Sequence, residues 1–167
     1  MKMSFSHNIS LQPLCKAHIA ELAGSLRPED WRELWATYRL LALEGLELCR
    51  KRSVFSAAFL YRGRVAAAAG VAAENILGTQ ACLWLWTGQE VEKCRKSFWK
   101  AYRGVLAYWL ARYPHAYAVC DVRYAAAARC LTRMGAHREG KTFLLEGKEA
   151  RFQLYRFGKA RHTEPEI

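Results

Sequence analysis

Three side chains combine a proton-transferring group with an unusual setting: Asp121, Tyr124 and Glu74. Asp121 is a carboxylate inside an apolar run, residues 116–122, that reads as a buried strand. Such a group either orients a substrate or is held in an ion pair, with Arg123 the nearest partner in sequence. Tyr124 opens the next segment, and its phenol either donates a proton or packs as an aromatic at a helix start. Glu74 ends a candidate strand and reads as a general base or as a solvated loop carboxylate. Metal chemistry has no comparable support. His7, His18, His115, His137 and His162 show no ligand spacing. Cys15, Cys49, Cys82, Cys94, Cys120 and Cys130 form no Cys-x-x-Cys pair. Ser53 and Ser56 sit in no nucleophile-elbow pattern.

At 167 residues and 52% hydrophobic composition, the chain has material for one domain with a sizeable core. That domain is expected over residues 1–157, followed by a polar tail at 158–167. The net charge of +11 is compatible with a nucleic acid, a membrane surface or a phosphorylated cofactor as partner. It is equally compatible with cations spread over a solvated surface. No apolar stretch approaches membrane-spanning length, so no membrane role is expected. With Cys82, Cys120 and Cys130 in apolar runs as small core residues, a reducing, cytoplasmic setting is expected.

The elements that must position these groups follow from periodicity. Residues 4–12 read as a first strand, and Pro13 opens a helical stretch with Leu14, His18, Ile19 and Leu22 at helical spacing. A second helix begins near Pro28, with Glu29 and Asp30 near its positive dipole end. Trp31, Leu34, Trp35, Tyr38, Leu41 and Leu43 continue its stripe toward Cys49. Residues 54–61 and 65–72 form a hairpin about Arg62-Gly63-Arg64. Its second arm is alanine-rich and is read as strand because Gly70 weakens a helix and small side chains admit a close neighbour. Residues 81–86 read as a central strand. A long helix from about Glu92 to Arg112 carries Phe98, Tyr102, Val105, Leu106, Trp109 and Leu110 on one face. Strand 116–122, helix 124–134 stopped by Gly135, and a hairpin of 143–145 with 151–157 complete the chain. The fold class is α/β: a mixed, mostly antiparallel central sheet with helices on both faces.

This order is similar to that of the GCN5-related N-acetyltransferase (GNAT) superfamily. Members commonly carry Asn-x-x-Ala-x-x-x-Tyr-x-x-x-Gly-Phe after the fifth strand, and that spacing matches Tyr124, Ala127, Leu131, Gly135 and Ala136. Ala127 and Gly135 agree, whereas Tyr124, Leu131 and Ala136 depart. More narrowly, Leu26-Arg27-Pro28-Glu29-Asp30, Trp84-Leu85-Trp86-Thr87 and Arg133-Met134-Gly135 resemble a phage-associated branch related to an internal virion protein of T7-like phages.

The resemblance implies acetyl-CoA as cofactor, an amine as acceptor and no metal. It places a backbone donor for the thioester carbonyl on the strand ending in Leu85, Trp86 and Thr87, with pantetheine between it and strand 116–122. Counting back from Tyr124, the pyrophosphate turn falls at residues 92–97. Ser97 is small there, but Arg95 takes a glycine position and Glu92 replaces a basic or amide residue. Lys93, Arg95 and Lys96 then either bind phosphates through side-chain charge or form an ordinary basic helix start. Leu131 occupies the place of the thiolate-protonating tyrosine, and Tyr124 is the remaining phenol able to substitute. The alternative function is a non-catalytic, phage-derived protein whose partners are phage structural proteins, virion-associated rather than cytoplasmic. A third reading is nucleic-acid binding by the basic, aromatic residues 95–112, but the aromatics share one helical face and core packing explains them better.

Overall fold

The computed structural model describes residues 3–6, 8–73, 78–145, 147 and 149–158. Strands β1 (Met3–Ser6), β2 (Ile9–Pro13), β3 (Phe55–Tyr61), β4 (Arg64–Ala72), β5 (Cys82–Thr87), β6 (Tyr117–Asp121), β7 (His137–Leu144) and β8 (Arg151–Arg156) form one sheet in the order β1-β2-β3-β4-β5-β6-β8-β7. Every neighbouring pair is antiparallel except β5 and β6, which run parallel. Helices α1 (Lys16–Ala23), α2 (Pro28–Tyr38) and α3 (Ala42–Arg52) cover one face. Helices α4 (Arg95–Arg112) and α5 (Ala125–Arg133) cover the other. The expected mixed sheet with helices on both faces is present.

Two apolar layers follow from this arrangement. Phe59, Phe98, Tyr102, Trp109 and Tyr155 pack between the sheet and α4, with Phe98 meeting Phe59 edge-on at 5.3 Å. Leu22, Leu34, Leu46, Leu60, Trp84 and Trp86 fill the opposite layer. The alanine-rich arm is indeed a strand, and Val65–Val71 is completely or almost completely buried on both faces. Its small residues let bulky neighbours close over it: a Cβ at Gly70 would lie 2.5 Å from the Trp84 ring. The hairpin before it turns on Arg62 and Gly63, both at positive φ, as a tight two-residue turn requires.

Several elements differ from the sequence expectation. The first strand is two strands, β1 and β2, paired antiparallel. The expected helix from Pro28 to Cys49 is broken at Arg39, which adopts a left-handed conformation (φ 55°) and ends α2. The break lets α3 fold back so closely that a Cβ at Gly45 would meet Leu34 Cδ2 at 2.5 Å. The presumed apolar stripe is divided as a result: Leu34 is buried, whereas Trp31, Trp35, Leu41 and Leu43 face outward. The long helix begins at Arg95 rather than Glu92, because a separate 3-10 turn (Gln89–Lys93) precedes it. The last hairpin starts at His137, six residues before the expected strand. Glu74, Glu146, Lys148 and residues 159–167 of the expected tail lie outside the described residues. No helix among the described residues is long and apolar enough to cross a membrane.

Candidate functional site

The sheet opens at its one parallel pair. β5 and β6 are joined in register only at Cys82 and Tyr117, with the Tyr117 N–H donating to Ala81 at 2.9 Å. Beyond that point the strands diverge around a cleft of about 330 Å³. Leu83, Leu85, Ala118, Cys120, Ala127 and Leu131 line it, mainly with apolar surface. The Thr87 N–H points away from β4, because it donates to Asp30 Oδ1 at 2.9 Å. Alternation along a strand places the Leu85 N–H on that same edge, past the last paired residue and facing the opening. Trp86 points the other way, its indole N–H reaching Cys49 Sγ at 3.4 Å.

Helix α2 closes the mouth of this cleft with two buried carboxylates. Arg27 and Pro28 start the helix in an extended-to-helical turn, and Asp30 and Glu33, three residues apart, fall on one face. The Asp30 carboxylate accepts from the Thr87 N–H and hydroxyl and from the Tyr124 hydroxyl, each at 2.9 Å. Burial raises the Asp30 carboxyl above its ordinary range despite those three donors. Glu33 Oε1 accepts from the Asp121 N–H at 2.7 Å. Burial, reinforced by the Asp30 charge, pushes the Glu33 carboxyl up to about 7, against the pull of that N–H. The neighbouring Cys120 thiol pulls in the same direction as that N–H. Of these two acids, Asp30 was read from sequence only as a complement to the helix dipole, and Glu33 was not singled out. The signal that marks them is two acids sharing a face of α2 with the core residue Leu34.

The sequence-derived candidates divide clearly. Tyr124 lies in the cleft wall, and burial together with the Asp30 charge raises its phenol well above the ordinary tyrosine range. Asp121 is in an ion pair: the Arg123 backbone N–H donates to Oδ1 at 2.9 Å, and the guanidinium approaches Oδ2 to 2.5 Å. Burial opposes ionisation there, but the Arg123 hydrogen bonds outweigh it and hold the carboxyl below its usual range. Its backbone N–H nevertheless orients Glu33. Leu131 lines the cleft, as the motif spacing implied. Thr87 has both its donors committed to Asp30 and is a clamp on α2 rather than a free donor.

The basic turn is less cationic than its lysines and arginines suggested. Lys93 pairs with Glu90 at 2.8 Å and Arg95 with Glu92 at 2.5 Å, both on the surface. Arg27 also approaches Glu92, at 3.6 Å. Lys96 is exposed, and Ser97 is half-buried in the first turn of α4. Cys94 at the N-cap makes no side-chain cap, so the first N–H groups of this 18-residue helix are directed outward without one. Phe98, Tyr102 and Trp109 are buried, as core packing required.

Cys82, Cys120 and Cys130 line the cleft as well. Burial pushes the Cys82 and Cys130 thiols up to about 11 and Cys120 higher still, so they are protonated at neutral pH. Among the described residues no group of three or more His, Cys, Asp or Glu side chains could hold a metal ion.

No protein-family model matches the chain, and no curated protein matches it. Solved structures do. A provisionally assigned acetyltransferase superposes with TM-score 0.69 at 20% identity, covering 93% of this chain and 87% of that one. The microcin C7 self-immunity acetyltransferase MccE, in complex with acetyl-CoA and AMP, gives 0.68 at 12% identity, covering 93% and 94%. RimL, a ribosomal L7/L12 alpha-N-protein acetyltransferase in complex with coenzyme A, gives 0.63 at 14%, covering 93% and 97%. The chain shares the GNAT-type fold of these structures over nearly its whole length.

Proposed function

We propose that this chain, acting through residues 1–157, transfers an acyl group from acetyl-CoA to an amine. The observation that carries the reading is the cleft between the diverging β5 and β6, with the Leu85 N–H facing into it and Glu33 buried at its mouth. The residues present fit a coenzyme A thioester. The apolar cleft walls suit a pantetheine arm, and the uncapped first turn of α4, with Arg95, Lys96 and Ser97, suits a pyrophosphate. Lys93 adds charge there only in part, because Glu90 holds it. When bound, the thioester supplies an activated acyl carbonyl, whose C–S bond breaks as the new C–N bond forms.

The chain's own groups account for the rest. The Leu85 N–H polarises the carbonyl oxygen in place of water. Glu33 accepts the proton lost by the amine at Oε2, the oxygen that Asp121 leaves free. A carboxyl near pH 7 is matched to that task at neutral pH. Tyr124 is the proton donor to the departing thiolate, a role that requires its hydroxyl to turn into the cleft from Asp30, to which it donates its one proton in the resting chain. Asp121 acts as a positioning group, held by Arg123. The protonated cysteines argue for direct transfer rather than an acyl-cysteine intermediate.

A non-catalytic reading is favoured by one observation, Leu131 lining the cleft where a proton donor is expected. Its phage-specific form rests on the resembling motifs, and two of these interlock structurally: the Arg27 N–H donates to Thr87, Leu26 bridges to Gly88, and Asp30 binds Thr87. That contact gives the motifs a role in holding α2 on β5 without any virion partner. Calorimetric titration with acetyl-CoA, followed by mass spectrometry of products from an amine panel, separates the readings. Saturable binding with acetylated product supports transfer. No heat at millimolar acetyl-CoA refutes transfer and is the result that the non-catalytic reading predicts.

A further inference from the structure

The acceptor side of the cleft has a distinct chemistry. A groove of about 390 Å³ runs along the outer face of α2 to the start of β8, lined by Trp31, Trp35, Arg39, Val122 and Arg151 among others. Trp31 and Trp35 are stacked, with ring planes 4° apart and centroids at 6.2 Å. The Arg39 guanidinium continues the stack, 5.9 Å from the Trp35 centroid. Positions 31, 35 and 39 thus form one ladder along the helix, two indoles ended by a cation. Trp31 is 45% exposed and Trp35 37%, so the ladder covers no core.

This groove leads to the proton acceptor. A small hollow of about 70 Å³ lies between it and the cleft, lined by Arg32 and Arg123 on one side and by Glu33 and Tyr124 on the other. Arg32 and Arg123 also line the groove, and Glu33 and Tyr124 also line the cleft. An amine reaching Glu33 through the hollow leaves the body of its molecule against Trp31 and Trp35.

The charge of the groove selects among acceptors. Four arginines line it against Glu149. Arg123 is held by Asp121 and Arg32 by Glu29, but neither Arg39 nor Arg151 forms a salt bridge with a described carboxylate. A cationic acceptor such as a polyamine is repelled, whereas an anion is attracted. Resting on the acyl-transfer reading, we propose that the acceptor is a small amine carrying a planar aromatic ring and an adjacent anionic group. The ring lies on the Trp31–Trp35 ladder, and the anion is held by Arg39 and Arg151 together. An aromatic amino acid has all three features, whereas a nucleotide supplies the ring and the anion and joins this class when it carries an aliphatic amine.

The test is calorimetric titration of the intact protein, with coenzyme A at saturation so that its own nucleotide site is filled. The probes are AMP, adenosine, inorganic phosphate, tryptophan and spermidine. The ring-plus-anion probes, AMP or tryptophan, bind saturably and more tightly than adenosine or phosphate alone, and spermidine gives no binding. A preference for AMP identifies the nucleotide source, and a preference for tryptophan the amino-acid source. Trp35→Ala and Arg39→Gly each weaken the preferred probe about fivefold or more while coenzyme A affinity is unchanged. Glycine is chosen at 39 because it tolerates the left-handed backbone there. Unchanged probe affinity in a Trp31→Ala/Trp35→Ala double variant overturns the proposal, as does tight spermidine binding. Coenzyme A binding with no response to AMP or tryptophan refutes the acceptor class alone. Absence of coenzyme A binding refutes the acyl-transfer reading on which the acceptor role depends.

Discussion

Replacing Glu33 by glutamine isolates the group on which both stability and chemistry turn. Its carboxyl stands at about 7 in the folded chain against 4.5 for an ordinary glutamate. The folded state therefore binds more protons than the unfolded state between those values, and stability from this group falls as pH rises from 4.5 to 7. At about 1.4 kcal/mol per pKa unit, the ionised Glu33 costs up to about 3 kcal/mol at pH 8. Glutamine still offers an oxygen to the Asp121 N–H, fills the same space and carries no charge. Urea unfolding of both proteins at pH 4 and pH 8 reads the effect directly. The expected result is near-equal stability at pH 4 and a variant more stable by about 1–3 kcal/mol at pH 8. The same variant loses the limb near pH 7 from the pH profile of acyl transfer, with a rate reduced about a hundredfold or more. A stability difference that is the same at both pH values would refute the claim that Glu33 is held near neutrality by burial.

Tyr124→Phe removes the phenol that donates to Asp30, and stability should fall by about 1–2 kcal/mol in urea unfolding. Its turnover should fall while the affinity for acetyl-CoA stays within about twofold, measured by comparing rate with calorimetry. Gly70→Ala drives a Cβ to 2.5 Å from the Trp84 ring between two buried strands, and a loss of about 1–3 kcal/mol is expected from denaturant midpoints. Arg95→Glu breaks the pair with Glu92 and places a second carboxylate at the start of α4, weakening coenzyme A binding about fivefold by calorimetry.

The parts of this molecule with a single local periodicity were legible in its sequence. Phe98, Tyr102, Val105, Leu106 and Trp109 repeat at helical steps and are buried as α4, and Gly135 with φ 93° stops α5 where expected. The Ala-rich β4 could be read as a strand because Gly70 and its small neighbours imply a close partner, which Trp84 supplies. Features fixed by long-range geometry could not be read. Nothing local marks Arg39 as left-handed, so α2 and α3 merged into one expected helix, and Trp31 and Trp35 appeared to belong to the core stripe. Asp30 and Glu33 gained their meaning only from Thr87, Asp121 and Tyr124, which lie 57, 88 and 94 residues away in sequence. The basic turn is a local case, since Glu90 and Glu92 stand three residues before Lys93 and Arg95 and pair with them.

The most direct test of the central claim is titration of acetyl-CoA into ¹⁵N-labelled protein, observed through its backbone amides. The account predicts saturable shifts at Leu85 and at Ala118–Cys120 on the facing edges of the cleft, and at Lys96 and Ser97 in the first turn of α4. Amides of β2 and β3, on the far side of the sheet, should stay in place. Shifts confined to those distant strands, or none at millimolar acetyl-CoA, would contradict it.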